Sequence, residues 1–460
     1  MVRTNRFALV SVIAILGLLI ASCGVLQTPA TPSEDFINTS VAQTVNAQIP
    51  ATDEPALTET PAPQLTEAPA ETETPPLAPL AVAFVSPDHN AYYWNESLAT
   101  PTQLTTSNDV QQALVSPDGT KVVLVRSTDW ISYSLDVINA DASGLRNLVL
   151  PANFAALPRP ADTLATLPSH VSWMPDSLTI AMTTRIAYEG PGGAAGESLF
   201  LINSNTSAMS TLLTIASEWN WDYTFSPDAS LIAISRPEGM DIYNGDGSLL
   251  IADLITFPFV NTASEYAWIP DPVWSPDGSA LVVVVPPQDP WSFTPADSKV
   301  YQWNTTDASA VLRFTTVMSY WPMEIASIAP DLSKLLYLVQ DGDPMDNRHA
   351  LTLVNVDGSG SQVIDSGELY NLPEWSTDAG RFYYYSNAGQ AYIVEPGSAP
   401  VGYPAYYQVR DVKWVDPVRF IGVSGPVSGW QLFLGSVSAP ALIIFAGTTG
   451  DDQIQFTTNR

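Results

Sequence analysis

Apolar residues along this chain gather in short runs closed by polar turns, without the three-to-four spacing of helices. The stretch "PVWSPDGSALVVVV", Pro272 to Val285, shows the unit: an aromatic residue, a turn, then consecutive aliphatic strand-formers. A run of this length bounded by turn residues reads as a β-strand buried on both faces. Approximate copies read "ALVSPDGTKVVLV" at Asp118, "VSWMPDSLTIAMT" at Asp176, "YTFSPDASLIAIS" at Asp228, "ASIAPDLSKLLYL" at Asp331 and "PEWSTDAGRFYYY" at Asp378, with a shortened "VKWVDPVRFIGV" at Asp416. Taken with Asp277, successive aspartates stand 58, 52, 49, 54, 47 and 38 residues apart. A period near fifty with strand patterning marks a propeller or a similar array.

The turn chemistry explains the repeated letters. Proline presets φ for the second turn position, aspartate tolerates the third, and glycine takes the left-handed position that closes a bulged hairpin. Three residues before the aspartate stands Trp173, Phe225, Trp274 or Trp375, a ring placed to fill space between neighbouring sheets. A second family of turns alternates with the first, at Asn95, Asn139, Asn203, Asn244, Asn304, Asn355, Glu395 and Gly435. Eight second turns against seven first turns mean that the chain enters the array at the second strand of a blade. The missing inner strand then comes from the other end, with "DQIQF", Asp452 to Phe456, as the candidate. On this reading Ser86-Pro87-Asp88 is a different turn sharing the same letters. The expectation is an all-β propeller over residues 81–460 with eight four-stranded blades, seven being the alternative, closed by strand exchange between its ends.

These hairpins resemble the TolB-type propeller repeat over nearly all of residues 81–460. The resemblance implies the fold; it implies no function. TolB itself carries an extra α/β domain before its propeller and no lipid anchor, so membership in the Tol–Pal system does not transfer.

Upstream of the repeats the composition changes. Arg3 and Arg6 precede an apolar run from Phe7 to Ile20, then Ala21, Ser22 and Cys23. This is the layout of an export signal, residues 1–22, and "IASC" resembles the bacterial lipobox, in which the cysteine becomes the lipidated first residue. Cys23 is the single cysteine of the 460 residues. Two or more acyl chains there would anchor the chain durably, at ~0.8 kcal/mol per buried methylene. Residues 23–80 then form the anchor and a linker: between Pro50 and Leu80 there are eight prolines, six threonines and five glutamates, with no aromatic or basic residue. Such a segment has too little apolar surface to fold. The expected location is the cell envelope, with the propeller facing the periplasm or exterior.

Charge narrows the partners. With 17 basic and 47 acidic side chains the net charge is −30, which argues against nucleic acid. There is no Gly-x-Ser-x-Gly nucleophile elbow. The three histidines, His89, His170 and His349, fall in expected loops without metal-ligand spacing, so neither metal nor cofactor is expected. The acidic stretch "DGDPMDN", 341–347, lacks the calcium-loop ligand order.

In a four-stranded blade the first and third connections are the tight turns, so all long loops gather on the opposite face of the disk. Those loops are rich in rings, and Trp268, Trp291, Tyr320, Trp321, Tyr406 and Tyr407 form the candidate ligand face, bordered by Glu189, Glu265, Asp289 and Asp297. Rings and carboxylates suit a glycan or an envelope protein. The expected function is therefore a non-enzymatic binding or scaffolding lipoprotein. The alternative is an envelope carbohydrate-active hydrolase or lyase using carboxylates on that face.

Overall fold

A computed structural model of the chain describes residues 78–189, 193–216, 219–262, 267–292, 295–320, 325–343, 348–369, 371–386, 390–403, 409–425, 429–447 and 453–460. The chain divides into two units, Met1–Glu73 and Thr74–Arg460. The first lies outside the described residues, and with it Cys23 and the linker up to residue 77; Leu80, the expected end of the linker, is buried in the propeller core. The second is a propeller of eight blades, each built on four antiparallel strands.

Closure follows the strand-exchange expectation. Ala81–Val85 pairs with Ala91–Asn95 on one side and with Gln455–Thr458 on the other, so blade 1 takes its inner strand from the C-terminal end. The closing strand begins three residues later than "DQIQF" placed it. Blades 2 to 8 follow in order, with inner strands Val110–Val115, Ala165–Trp173, Asp222–Phe225, Val273–Trp274, Ala326–Ile328, Glu374–Trp375 and Val409–Trp414. Burial falls from the axis outward: all six residues of Ala280–Val285 are buried, whereas Val311–Val317 at the rim of the same blade buries none. Each inner run is wedged between the faces of adjacent sheets, which is why it carries no polar alternation.

The repeated turns have one geometry. The residue after each aspartate is left-handed: Gly119 at φ 72°, Ser177 at 55°, Ala229 at 57°, Gly278 at 69°, Leu332 at 58° and Ala379 at 58°. Non-glycine residues hold this conformation because the aspartate ties the turn. In blade 5, Asp277 Oδ1 accepts from Ser275 Oγ at 2.7 Å, Ser279 N at 3.0 Å and Ser279 Oγ at 2.7 Å. Those bonds favour the charged carboxylate and hold Asp277 down at about pH 2. Asp118, Asp176, Asp228 and Asp378 are held low by the same kind of bonds. Ser86-Pro87-Asp88 is a different turn, as expected. It shares the left-handed residue, His89 at φ 58°, and the Ser86 to Asp88 bond. It closes one residue sooner, Ser86 N to Asn90 O, and lies on the opposite face because it joins the second and third strands.

The tryptophans do more than fill space. Trp173 Nε1 donates to Leu114 O at 2.9 Å, Trp274 to Thr224 O at 3.2 Å, Trp375 to Ser327 O at 3.1 Å and Trp414 to Glu374 O at 2.9 Å. Each acceptor belongs to the inner strand of the preceding blade. One indole thus couples two sheets by an apolar face and a bond, the bond contributing about 1 kcal/mol net. Between blades 1 and 2, Thr457 takes this part: its Oγ1 accepts from Val115 N and donates to Ala113 O, both at 3.0 Å.

Candidate functional site

The loop face carries a cavity of about 330 Å³ where blades 1, 2 and 3 meet. Its rim is made by the connection between the second and third strands of blade 2. Asp129 shapes that connection, its Oδ1 accepting from Ile131 N at 3.0 Å and Ser132 N at 2.7 Å, its Oδ2 from Ser132 Oγ at 2.9 Å. The Ser132 and Ile131 amides hold its carboxyl below the usual range. Trp130, between them, is left-handed at φ 63° and donates its backbone N–H to Ser127 Oγ at 3.0 Å. An L-residue in this conformation costs about 1–2 kcal/mol. The result is an indole that is 63% exposed, standing over the opening.

Blade 3 supplies the facing wall. Its second strand, Thr179–Ala187, runs farther onto the loop face than its counterparts and pairs with both Ala165–Trp173 and Gly193–Ala195. Near its end stands Arg185, exposed on the cavity wall. Burial pushes the Tyr133 phenol up, and the neighbouring Arg185 charge and hydrogen bond oppose that shift. The inner strand of blade 3 is bulged between Pro168 and Val171. Bulges re-aim side chains, and here the bulge carries Ser169 and His170. Carboxamides complete the lining: Gln111 and Gln112 from blade 2, Gln453 and Gln455 from the closing segment.

A second cavity of about 300 Å³ shares Gln112, Ser169, Val171 and Gln455 with the first and continues along the inner strands to His170. His170 Nδ1 lies 2.7 Å from Asp222 Oδ1, and its ring stacks on Tyr223 at 4.5 Å. Tyr223 in turn shares a 2.9 Å hydrogen bond with Ser172. Farther round the axis, Asp271, Glu374, Asp411 and Lys413 are exposed at or just before inner strands. Water reaches these groups, yet protein surrounds them on most sides, as expected of a channel wall. Burial accordingly raises Asp271, aided by the Asp222 charge and opposed by His170. Burial also raises Asp411 and lowers Lys413, the latter opposed by Glu374 and Asp411. Among the described residues, no three histidine, cysteine or acidic side chains gather as metal ligands.

The ring-rich face expected from sequence is placed differently. Trp268 and Tyr320 are buried, 4% and 7% exposed, in the largest hydrophobic cluster. Trp291 is 44% exposed, but its edge packs on Tyr320 at 5.3 Å and its Nε1 donates to Thr262 O at 3.0 Å. These three are gathered, chiefly as pins that cover the core. Trp321, Tyr406 and Tyr407 lie outside the described residues, as do Glu265 and residues 344–347 of the acidic stretch. Asp297 accepts from Thr315 at 3.1 Å, and Glu189 and Asp289 are exposed. Two histidines differ from the expected solvated loops: His170 is hydrogen-bonded to Asp222 within a strand, and His349 begins a strand where burial lowers its pKa. Trp130 and Arg185 went unrecognised in the sequence. The usable signal was "TDWIS", 128–132, an aromatic in a connection that the topology places on the loop face.

No family model and no curated protein matches the sequence. Among solved structures the chain is similar to an oligogalacturonate lyase in complex with manganese, at 14% identity over 68% of this chain and 81% of that one, TM-score 0.43. It is similar to TolB from Acinetobacter baumannii at 14% identity and TM-score 0.32, over 63% of this chain and 65% of TolB. A eukaryotic initiation factor gives 11% identity, 83% and 98% coverage, and TM-score 0.49. At these identities and scores none carries an argument about what this chain does.

Proposed function

We propose that this chain is an exported, lipid-anchored binding protein of the cell envelope whose propeller takes a carbohydrate in the cavity between blades 1, 2 and 3. The carrying observation is the exposed indole of Trp130, held in a costly backbone conformation over a cavity lined by carboxamides. An indole face stacks on the C–H face of a sugar ring, and amides match hydroxyl groups as donors and acceptors. The volume sits near the low end of ligand pockets, roughly 300–1,000 Å³, enough for one or two sugar rings. The anchor part of the reading rests on "IASC" at Cys23. Glycan-array screening of the full chain in detergent tests the binding part: Trp130→Ala should lose at least tenfold in affinity for any glycan bound. Retention of full affinity by that variant sinks the reading. Metabolic labelling with a radioactive fatty acid should mark the protein and fail to mark Cys23→Ser.

One observation favours a second reading, an envelope hydrolase or lyase. Burial and the Asp222 charge raise the Asp271 carboxyl, and unlike environments for neighbouring carboxyls are how acid–base roles divide. Turnover of an envelope polysaccharide that Asp271→Asn abolishes would establish it.

A further inference from the structure

Resting on the carbohydrate reading, we infer that Arg185 makes the cavity selective for saccharides that carry a carboxylate. The chain is strongly acidic, and five of its arginines, Arg126, Arg236, Arg348, Arg381 and Arg419, each have a carboxylate within ion-pair distance. Arg185 has none among the described residues. Its neighbour is the neutral Tyr133 phenol. Asp129, the acid of the adjoining loop, is engaged by two backbone amides and a serine hydroxyl.

What sets Arg185 apart is its place: a guanidinium on a cavity wall, with no carboxylate within ion-pair distance among the described residues, in a molecule of net charge −30. Its planar donor fork matches the two oxygens of a carboxylate, and partial desolvation strengthens that pairing. The flanking groups fit the rest of a sugar acid. Gln111 is fixed by its Nε2 bond to Ser127 O at 3.0 Å, which leaves its amide oxygen to accept. The amides of Gln112 and Gln455 make no side-chain hydrogen bond among the described residues and are available to hydroxyls. The indole of Trp130 would cover one ring face while Arg185 holds the substituent that a neutral sugar lacks. Two sources offer this chemistry: a hexuronate, with its carboxylate on the ring carbon C5, and a ulosonate, with its carboxylate on the anomeric carbon.

Calorimetric titration of the full chain in detergent tests the inference with two probe pairs. One is a hyaluronan tetrasaccharide against its carboxyl-reduced form, the other sialyllactose against lactose. The acidic member of at least one pair should bind at least tenfold more tightly than its neutral counterpart, and the preferring pair names the source. Arg185→Gln should abolish that preference, and Arg185→Lys should restore part of it. The preference should also shrink as salt rises, since the contact is ionic. Equal affinity within both pairs, or a preference that survives Arg185→Gln, overturns the inference. Failure of the underlying reading has a different mark: neutral-sugar affinity that is absent, or indifferent to Trp130→Ala. Unchanged thermal melting of the Arg185 variants shows that the fold is intact.

Discussion

The two faces of the disk are made by opposite rules. On the tight-turn face the same few atoms recur: an aspartate, a hydroxyl or amide on its oxygen, and a left-handed residue next in line. On the loop face the described connections differ; one holds a short helix, Pro151–Ala155, another extends into the hairpin strand Gly193–Ala195, and a third presents Trp130. The first face is determined by what a blade needs in order to turn. The second is free of that demand, and there the left-handed conformation falls on unlike residues, His89 in one connection and Trp130 in another. Repetition marks the scaffold, and departure from it marks where chemistry was fitted.

The comparison can be broken most severely at the closure. Deleting residues 453–460 uncovers the edge of Ala81–Val85, whose five residues are all buried. The loss should exceed the roughly 0.5–3 kcal/mol of ordinary single substitutions, and chemical denaturation should lose its single cooperative transition. Next in size is the indole coupling. Trp274→Ala should cost about 3–5 kcal/mol, while Trp274→Phe, keeping most of the ring and losing the bond to Thr224 O, should cost about 1–2 kcal/mol. A smaller effect separates the faces by pH. The turn aspartates have folded pKa values below their unfolded ones, so their stabilisation is full above about pH 4 and is lost as pH falls through the folded values, about 2 for Asp277. Calorimetric melting temperatures should therefore fall between about pH 4 and 2, less steeply in Asp277→Asn, which keeps an acceptor without the charge. The smallest stability effect belongs to the loop face: Trp130→Ala should change unfolding free energy by no more than about 0.5 kcal/mol while losing at least tenfold in glycan affinity.

The same contrast governs what the sequence disclosed. Blade count, closure and the side on which long loops gather were all readable, because each follows from turn letters repeated at a near-constant interval. The tryptophan positions were readable too, though not their bonds: the acceptors are backbone carbonyls 40 to 59 residues away. The last repeat is short at its turn, where Val415 N donates to Arg419 O, one residue sooner than Ser275 N to Ala280 O. Gly422 lies opposite Phe433 and Gly435 opposite Phe420, and a Cβ on either glycine would stand about 2.5 Å or less from the facing ring. His170 was misplaced because pairing with Thr179–Ala187 extends a strand through residues whose letters, including Pro168, resemble a loop. The cavity itself was illegible. Its lining comes from three blades and both ends of the propeller, and a ring that pins a loop reads in sequence like a ring that meets a ligand. Trp268 and Tyr320 turned out to be the former.

One further consequence comes from where the propeller chain starts and stops. Arg460 donates to Ala78 O, and Asn459 to Pro79 O and Pro117 O, so both ends meet beside the blade 2 tight turn. A label or bead attached at Arg460 would therefore sit on the tight-turn side of the disk, away from the cavity.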